Sequence, residues 1–190
     1  MELIRVDTQR AYDAIRAKIT DLDLTPGTQI NEQQLAVELQ MALKPVTEAL
    51  KLLVHDHLVV ITPRHGLYVA AVNMPDLEQL SELRLSLETL AANLAAQRAT
   101  EDDLVILESI RKEQMAVDPT DARRLFEVDH RFHQAIARAA RNKYLAETLD
   151  QLFGLSQRLW FMALPRIALL SGAVERHVSI MEAIREHDSD

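Results

Sequence analysis

Asp129 and His133 stand four residues apart in a stretch of helical periodicity, so their side chains leave the same face of one helix. A carboxylate and an imidazole at that spacing can share a divalent metal, or form an ordinary ion pair on a helix surface. His177 lies on a separate predicted helix that a bundle can bring opposite the pair; its alternative is a packed core histidine. Arg84 is a candidate of another kind. Its guanidinium fork can bond both oxygens of a planar carboxylate, and Glu88, four residues on, offers it a structural partner. His55, His57 and His130 belong to no such group and read as structural, and Trp160 and Phe161 read as core or dimer-interface residues. A metal-dependent hydrolase built on Asp129, His133 and His177 would need a general base, oxyanion donors or a phosphate-cradling loop. None is legible, so no catalytic residue is assigned and the chain is read as a non-enzyme.

The elements that must position these residues follow from periodicity. Ala11, Ile15, Ile19 and Leu22 recur at helical spacing over residues 8–22, and Pro26-Gly27 then makes a turn. Asn31 can cap a short helix over 32–39 with Leu35, Ala36 and Leu39 inward. Pro45 suits the first turn of a third helix with Val46, Ala49, Leu50 and Leu53 on one face. Two β-branched runs, 58–61 and 67–70, flank a five-residue turn, Thr62-Pro63-Arg64-His65-Gly66. Three helices followed by a hairpin is the order of a winged helix-turn-helix. Beyond Val72 every long segment is helical: a stripe of Leu80, Leu83, Leu87, Leu90 and Leu94, then a helix opened by a Thr100/Asp103 capping box and running to about Val117. Further helices are expected at about 121–140 and from Asn142 to about Met162. Pro165 and Gly172 interrupt before a last helix carrying Val174, Val178, Met181 and Ile184. The expected fold is therefore mostly α: a winged helix-turn-helix over residues 1–72, a linker at 73–76 ending in a helix cap, and an all-α antiparallel helical bundle over 77–190.

Composition bounds the function. Of the 190 residues 48% are hydrophobic and 26% charged, with only four Gly and six Pro, the balance of a helix-rich globular protein. The absence of cysteine removes disulfides and thiolate metal sites and suits a reducing cytoplasm. No apolar run approaches the roughly 18 residues of a membrane span, and the opening residues resemble no targeting signal, so a cytoplasmic protein without membrane partners is expected. Net charge is −8. Up to Val72 there are 7 Lys/Arg against 9 Asp/Glu, net −2; the remainder holds 14 against 20, net −6. Phosphate attraction must therefore come from a local patch rather than from the protein's overall field.

Two ordered sets of motifs carry a resemblance. The first is Tyr12-x-x-Ile15-Arg16-x-x-Ile19, Leu24-x-Pro26-Gly27, Asn31-Glu32-x-x-Leu35-Ala36, Pro45-Val46-x-Glu48-Ala49-Leu50 and Pro63-Arg64-x-Gly66-x-x-Val69. The second is Leu83-Arg84-x-x-Leu87-Glu88, Asp129-x-x-Phe132-His133 and His177-x-x-Ile180-x-x-Ala183-Ile184. Together they resemble the GntR family of bacterial regulators, in its FadR-type branch with an FCD ligand domain, over nearly the whole chain. The resemblance implies a homodimeric transcription regulator that binds double-stranded operator DNA and responds to a small organic-acid effector. It also implies a divalent metal, zinc or nickel, on Asp129, His133, His177 and one further histidine, with Arg84 as the pocket arginine.

In such a domain Lys44, Thr47, Glu48 and Lys51 lie on the outer side of the recognition helix, and Arg64, His65 and Gly66 form the wing tip. The DNA-contacting set expected is Lys44, Thr47, Lys51, Arg64, His65 and Gly66. Two departures from the family stand out. Relatives usually read Ser-Arg-Thr-Pro-Val-Arg-Glu-Ala-Leu where this chain reads Ala42-Leu43-Lys44-Pro45-Val46-Thr47-Glu48-Ala49-Leu50, so Leu43 and Thr47 replace two arginines and the capping hydroxyl is lost. An altered operator or weaker DNA binding is expected, with a dimerisation or interaction module whose DNA binding is weakened or lost as the alternative. The family's further histidine lies on a final helix beyond the position of His177, and the bundle is expected to be FCD-like without that helix. His187, ten residues on, is no substitute, since it points about −80° away from the face of His177. Three protein ligands plus water would remain, and the uncovered apolar stripe would favour dimerisation.

Overall fold

The computed structural model describes residues 2–163 and 173–189. Pro165 and Gly172, read as interruptions, lie outside the described residues. Among the described residues there are eight helices and a three-stranded sheet, and the chain divides into two compact units, residues 1–77 with 154–161, and residues 78–153 with 162–190.

In the first unit, α1 (Glu2–Thr20) buries Ala11, Ile15 and Ile19 at the spacing that brings them to one face. Leu22, expected at the end of that stripe, lies past the helix with φ 65 and is only half-buried, because the chain turns left-handed there before the Pro26-Gly27 turn. α2 (Glu32–Glu38) starts at Asn31, whose side chain accepts from the Gln34 amide at 3.0 Å. α3 (Leu43–His55) buries Pro45, Val46, Ala49, Leu50 and Leu53, and its cap residue Ala42 makes no side-chain cap bond. The hairpin pairs β2 (Val59–Thr62) with β3 (Gly66–Val69), each displaced by one residue from its expected span. A strand that sequence reasoning missed, β1 (Gln29–Ile30), adds to β3 and makes the antiparallel order β1-β3-β2. Two residues are too few to show a period of two. Ile15, Ile19, Leu35, Leu50, Leu53, Leu58 and Val69 form one core, each large aliphatic contributing about 1.5–3 kcal/mol by leaving water.

α4 (Met74–Arg98), which lies in the second unit from Glu78 onward, begins inside the segment read as a linker: Asn73, not Asp76, caps it by accepting from the Asp76 amide at 2.9 Å. Its leucine stripe does not all face the core. Leu83 and Leu90 are 46% and 44% exposed, and the buried face is Ala91, Ala95 and Ala96 with Leu87 and Leu94 partly buried beside them. A 25-residue helix offers more than one apolar stripe, and the one its surroundings cover most fully is the alanine stripe. α5 (Glu101–Ala116) carries the expected Thr100/Asp103 capping box. α6 (Ala122–Ala139) is capped by Asp121, α7 spans Lys143–Ala163, and α8 spans Ala173–Glu186. Leu107, Val128, Phe132, Ile136, Leu145, Leu149, Met181 and Ile184 fill the bundle core.

A candidate metal centre and a candidate nucleic-acid face

The bundle brings Asp129, His133 and His177 together. Helical spacing on α6 places His133 Nε2 3.8 Å from Asp129 Oδ2, and α8 sets His177 Nε2 3.3 Å from Asp129 Oδ1. One donor atom from each of the three lies within 4.8 Å of the others. Bonds of about 2.0–2.2 Å to zinc would need these donors to close by roughly an ångström, which rotation of the half-buried His133 and Asp129 side chains can supply.

His177 is held more firmly. It is 4% exposed, its ring stacks on the buried Phe132 ring at 4.2 Å between centroids, and its Nδ1–H donates to Gln114 Oε1 at 3.0 Å. With Nδ1 engaged by Gln114, Nε2 is the nitrogen that faces Asp129, and it is the one that would carry the lone pair for a metal. Gln114, on α5 and itself 3% exposed, is the residue sequence reasoning missed. A glutamine on the buried side of α5 was the only available signal, and nothing in the chain tied it to His177, 63 residues away. The donor set of one carboxylate and two imidazoles fits a borderline divalent cation. His187 is turned elsewhere: its Nδ1–H donates to the Ala96 carbonyl at 2.7 Å.

Arg84 adopts the partner the sequence offered. Its Nε and Nη2 both donate to Glu88 Oε1, at 3.0 and 2.6 Å, and its guanidinium lies 5.2 Å from the centre of the Phe153 ring. The other oxygen of Glu88 is 3.9 Å from His133 Nδ1. Glu88 thus joins the arginine to the Asp129–His133–His177 group. The His130 ring also stacks on Phe153, at 3.6 Å between centroids, with its Nε2 3.6 Å from Asp150.

In the first unit, Lys44 and Lys51 are exposed along the outer face of α3, with Thr47 and Glu48 half-buried between them. Lys51 Nζ donates to Glu48 Oε1 at 2.8 Å. That hydrogen bond, then the charges of Lys51 and Lys44, hold the Glu48 carboxyl below its ordinary range. Arg64, His65 and Gly66 are exposed at the wing tip, where Arg64 has φ 66 and Gly66 φ 100. The turn needs left-handed backbone at both positions, which glycine adopts without a Cβ penalty and arginine only at a cost. Gln29 braces the tip by donating from Nε2 to the His65 carbonyl at 3.0 Å.

Known proteins show the same organisation. The family described as bacterial regulatory proteins, gntR family, matches residues 7–69, and the FCD domain matches residues 79–190. The transcriptional repressor RspR of Escherichia coli is 26% identical over 183 residues, covering 96% of this chain and 80% of the repressor. An HTH-type transcriptional regulator of Agrobacterium vitis is 33% identical over 134 residues, 68% of this chain and 78% of its own. The solved structure of E. coli McbR/YncC superposes with a TM-score of 0.85 at 24% identity, covering 96% of this chain and 88% of that one, which shows the shared fold.

Proposed function

We propose a function from the premise that this chain belongs to the GntR family of bacterial regulatory proteins and carries an FCD domain after its winged helix. Members of this family are transcription regulators, and DNA binding comes with the family. In the proposed reading, the chain binds operator DNA as a homodimer, and its DNA affinity is set by a small carboxylate effector, by a divalent metal such as zinc or nickel, or by both. Residues 1–72 contact DNA through Lys44, Thr47, Lys51, Arg64, His65 and Gly66, and residues 77–190 sense the ligand and dimerise.

The observation that carries the sensing half is the convergence of Asp129, His133 and His177 with the His177 tautomer set by Gln114. A bound metal would supply a fixed positive charge for a carboxylate oxygen. The protein's own groups do the rest. Gln114 and Phe132 hold His177 in orientation, and Glu88 neutralises Arg84 in the ligand-free state. An incoming carboxylate competes with Glu88 for the guanidinium fork. Ligand occupancy then shifts the bundle between states that set the spacing of two winged helices on DNA.

Selection of genomic DNA by the purified protein, with and without zinc, tests the reading. A sequence-selective site whose affinity falls steeply with salt and changes on zinc addition is expected. The same site with identical affinity across zinc and a panel of small carboxylates would overturn the sensing half. A second reading, an interaction module that has lost DNA binding, is favoured by Leu43 and Thr47 and by the net −2 of residues 1–72. It predicts a folded dimer that enriches no sequence even at low salt.

A further inference from the structure

The first turn of α3 has a methyl-bearing edge beside its charged one. Leu43, the first helical residue, is 45% exposed, with no side-chain cap bond at Ala42 before it to occupy that end of the helix. Thr47, one turn on and half-buried, leaves the same side of the helix as Leu43. Round the helix from this edge stand the exposed Lys44 and Lys51, whose charges complement phosphate, with Glu48 engaged by Lys51 at 2.8 Å.

Neither Leu43 nor Thr47 can present the two parallel N–H donors that recognise guanine O6 and N7. Both present methyl groups. The thymine C5-methyl is the apolar group on the major-groove edge of a base pair, and an exposed leucine gains by covering it.

We propose that Leu43 and Thr47 are specificity-determining residues that read thymine methyl groups, so that the operator carries A·T pairs where the first turn of α3 enters the major groove. This rests on the reading that α3 is the DNA-contacting helix. Lys44 and Lys51 then serve as phosphate contacts that hold the helix at the depth where the two methyl-bearing side chains meet the bases. Preference at these positions is therefore for thymine over cytosine on the contacted strand, and guanine there offers no matching group.

The test takes the full-length protein and the best duplex from a random-sequence selection, and replaces each thymine of a half-site singly by uracil, which removes only the methyl group. Uracil at the positions facing Leu43 and Thr47 should weaken binding about fourfold each, the effect of uncovering one methyl group. Leu43→Ala, at an exposed position, should bind the thymine duplex more weakly and lose sensitivity to uracil at one of those positions only. Leu43→Arg should move the preferred base there to guanine. An enriched duplex that tolerates uracil throughout both half-sites, or an unchanged uracil effect in Leu43→Ala, overturns the inference while leaving DNA binding standing. Failure to enrich any duplex overturns both.

Discussion

His177 illustrates how one residue's chemistry is set by two neighbours that are not themselves ligand candidates. Stacking on Phe132 fixes the plane of its ring, and donation to Gln114 fixes which nitrogen carries the proton. Groups in this supporting position typically change metal affinity by about 10–100-fold when removed. Gln114→Ala should therefore weaken zinc binding by about tenfold in a competition titration against a chromophoric chelator, while Gln114→Glu, which keeps an acceptor at the same place, should retain most of it. His133→Ala should abolish binding at the same site. If Gln114→Ala bound zinc as tightly as the parent, the hydrogen bond would be a packing feature only. Arg84 shows the complementary point. Its guanidinium is already held by Glu88 at 2.6 Å, so in the proposed reading an effector carboxylate has to displace that partner.

Among the helices, α5 is the one whose start is specified most completely. Thr100 Oγ1 accepts from the Asp103 amide, Asp103 Oδ2 accepts from the Thr100 amide and hydroxyl, and Arg141 adds a further bond to the same oxygen. Burial alone would raise the Asp103 carboxyl; the bonds from Thr100 and the charge and bond of Arg141 outweigh it and hold the group below the ordinary aspartate value. A carboxyl depressed in the folded state contributes stability that is present above its unfolded value and is lost as pH falls through the folded one. Asp103→Asn should cost about 1 kcal/mol at neutral pH, and the gap to the parent should close below about pH 4, as followed by urea unfolding across pH. A gap that persisted in acid would show that the cap's worth lies in packing rather than in the carboxylate. α3 is the contrast: its buried face is complete, but Ala42 leaves its first amides without a side-chain partner.

Taken whole, the molecule consists of two units with separate cores, and α7 contributes residues to both. Within the first unit, Arg158 of α7 is 3% exposed and donates from Nη1 to the Ala70 carbonyl at 3.0 Å. Burial pushes its guanidinium down to about 10, with Asp76 opposing. Metal binding should stabilise only the unit that contains the three ligands. At zinc concentrations about 100-fold above the dissociation constant the gain is about 2.7 kcal/mol, which scanning calorimetry should resolve as an upward shift of the bundle's transition. His177→Ala should show no such shift. An equal shift in that variant would place zinc elsewhere on the chain.

The sequence by itself determined what depends on local period. Helix positions, the Asn31 cap, the Thr100/Asp103 box and the shared face of Asp129 and His133 all follow from 3.6 residues per turn and from side chains that bond their own backbone. The order of three helices and a hairpin already read as a winged helix and the periodicity beyond it as a helical bundle; the family motifs added only their identity as GntR and FCD domains. Tertiary structure alone decided what depends on how one helix lies against another. The two-residue β1 exists because β3 offers it an edge, and which stripe of α4 is buried, Ala91, Ala95 and Ala96 rather than all the leucines, is decided by what packs against it. His177 meets Asp129 and Gln114 only through the packing of α8 and α5 against α6, since residues 48 and 63 positions apart have no local geometry to bring them within 3.3 Å and 3.0 Å.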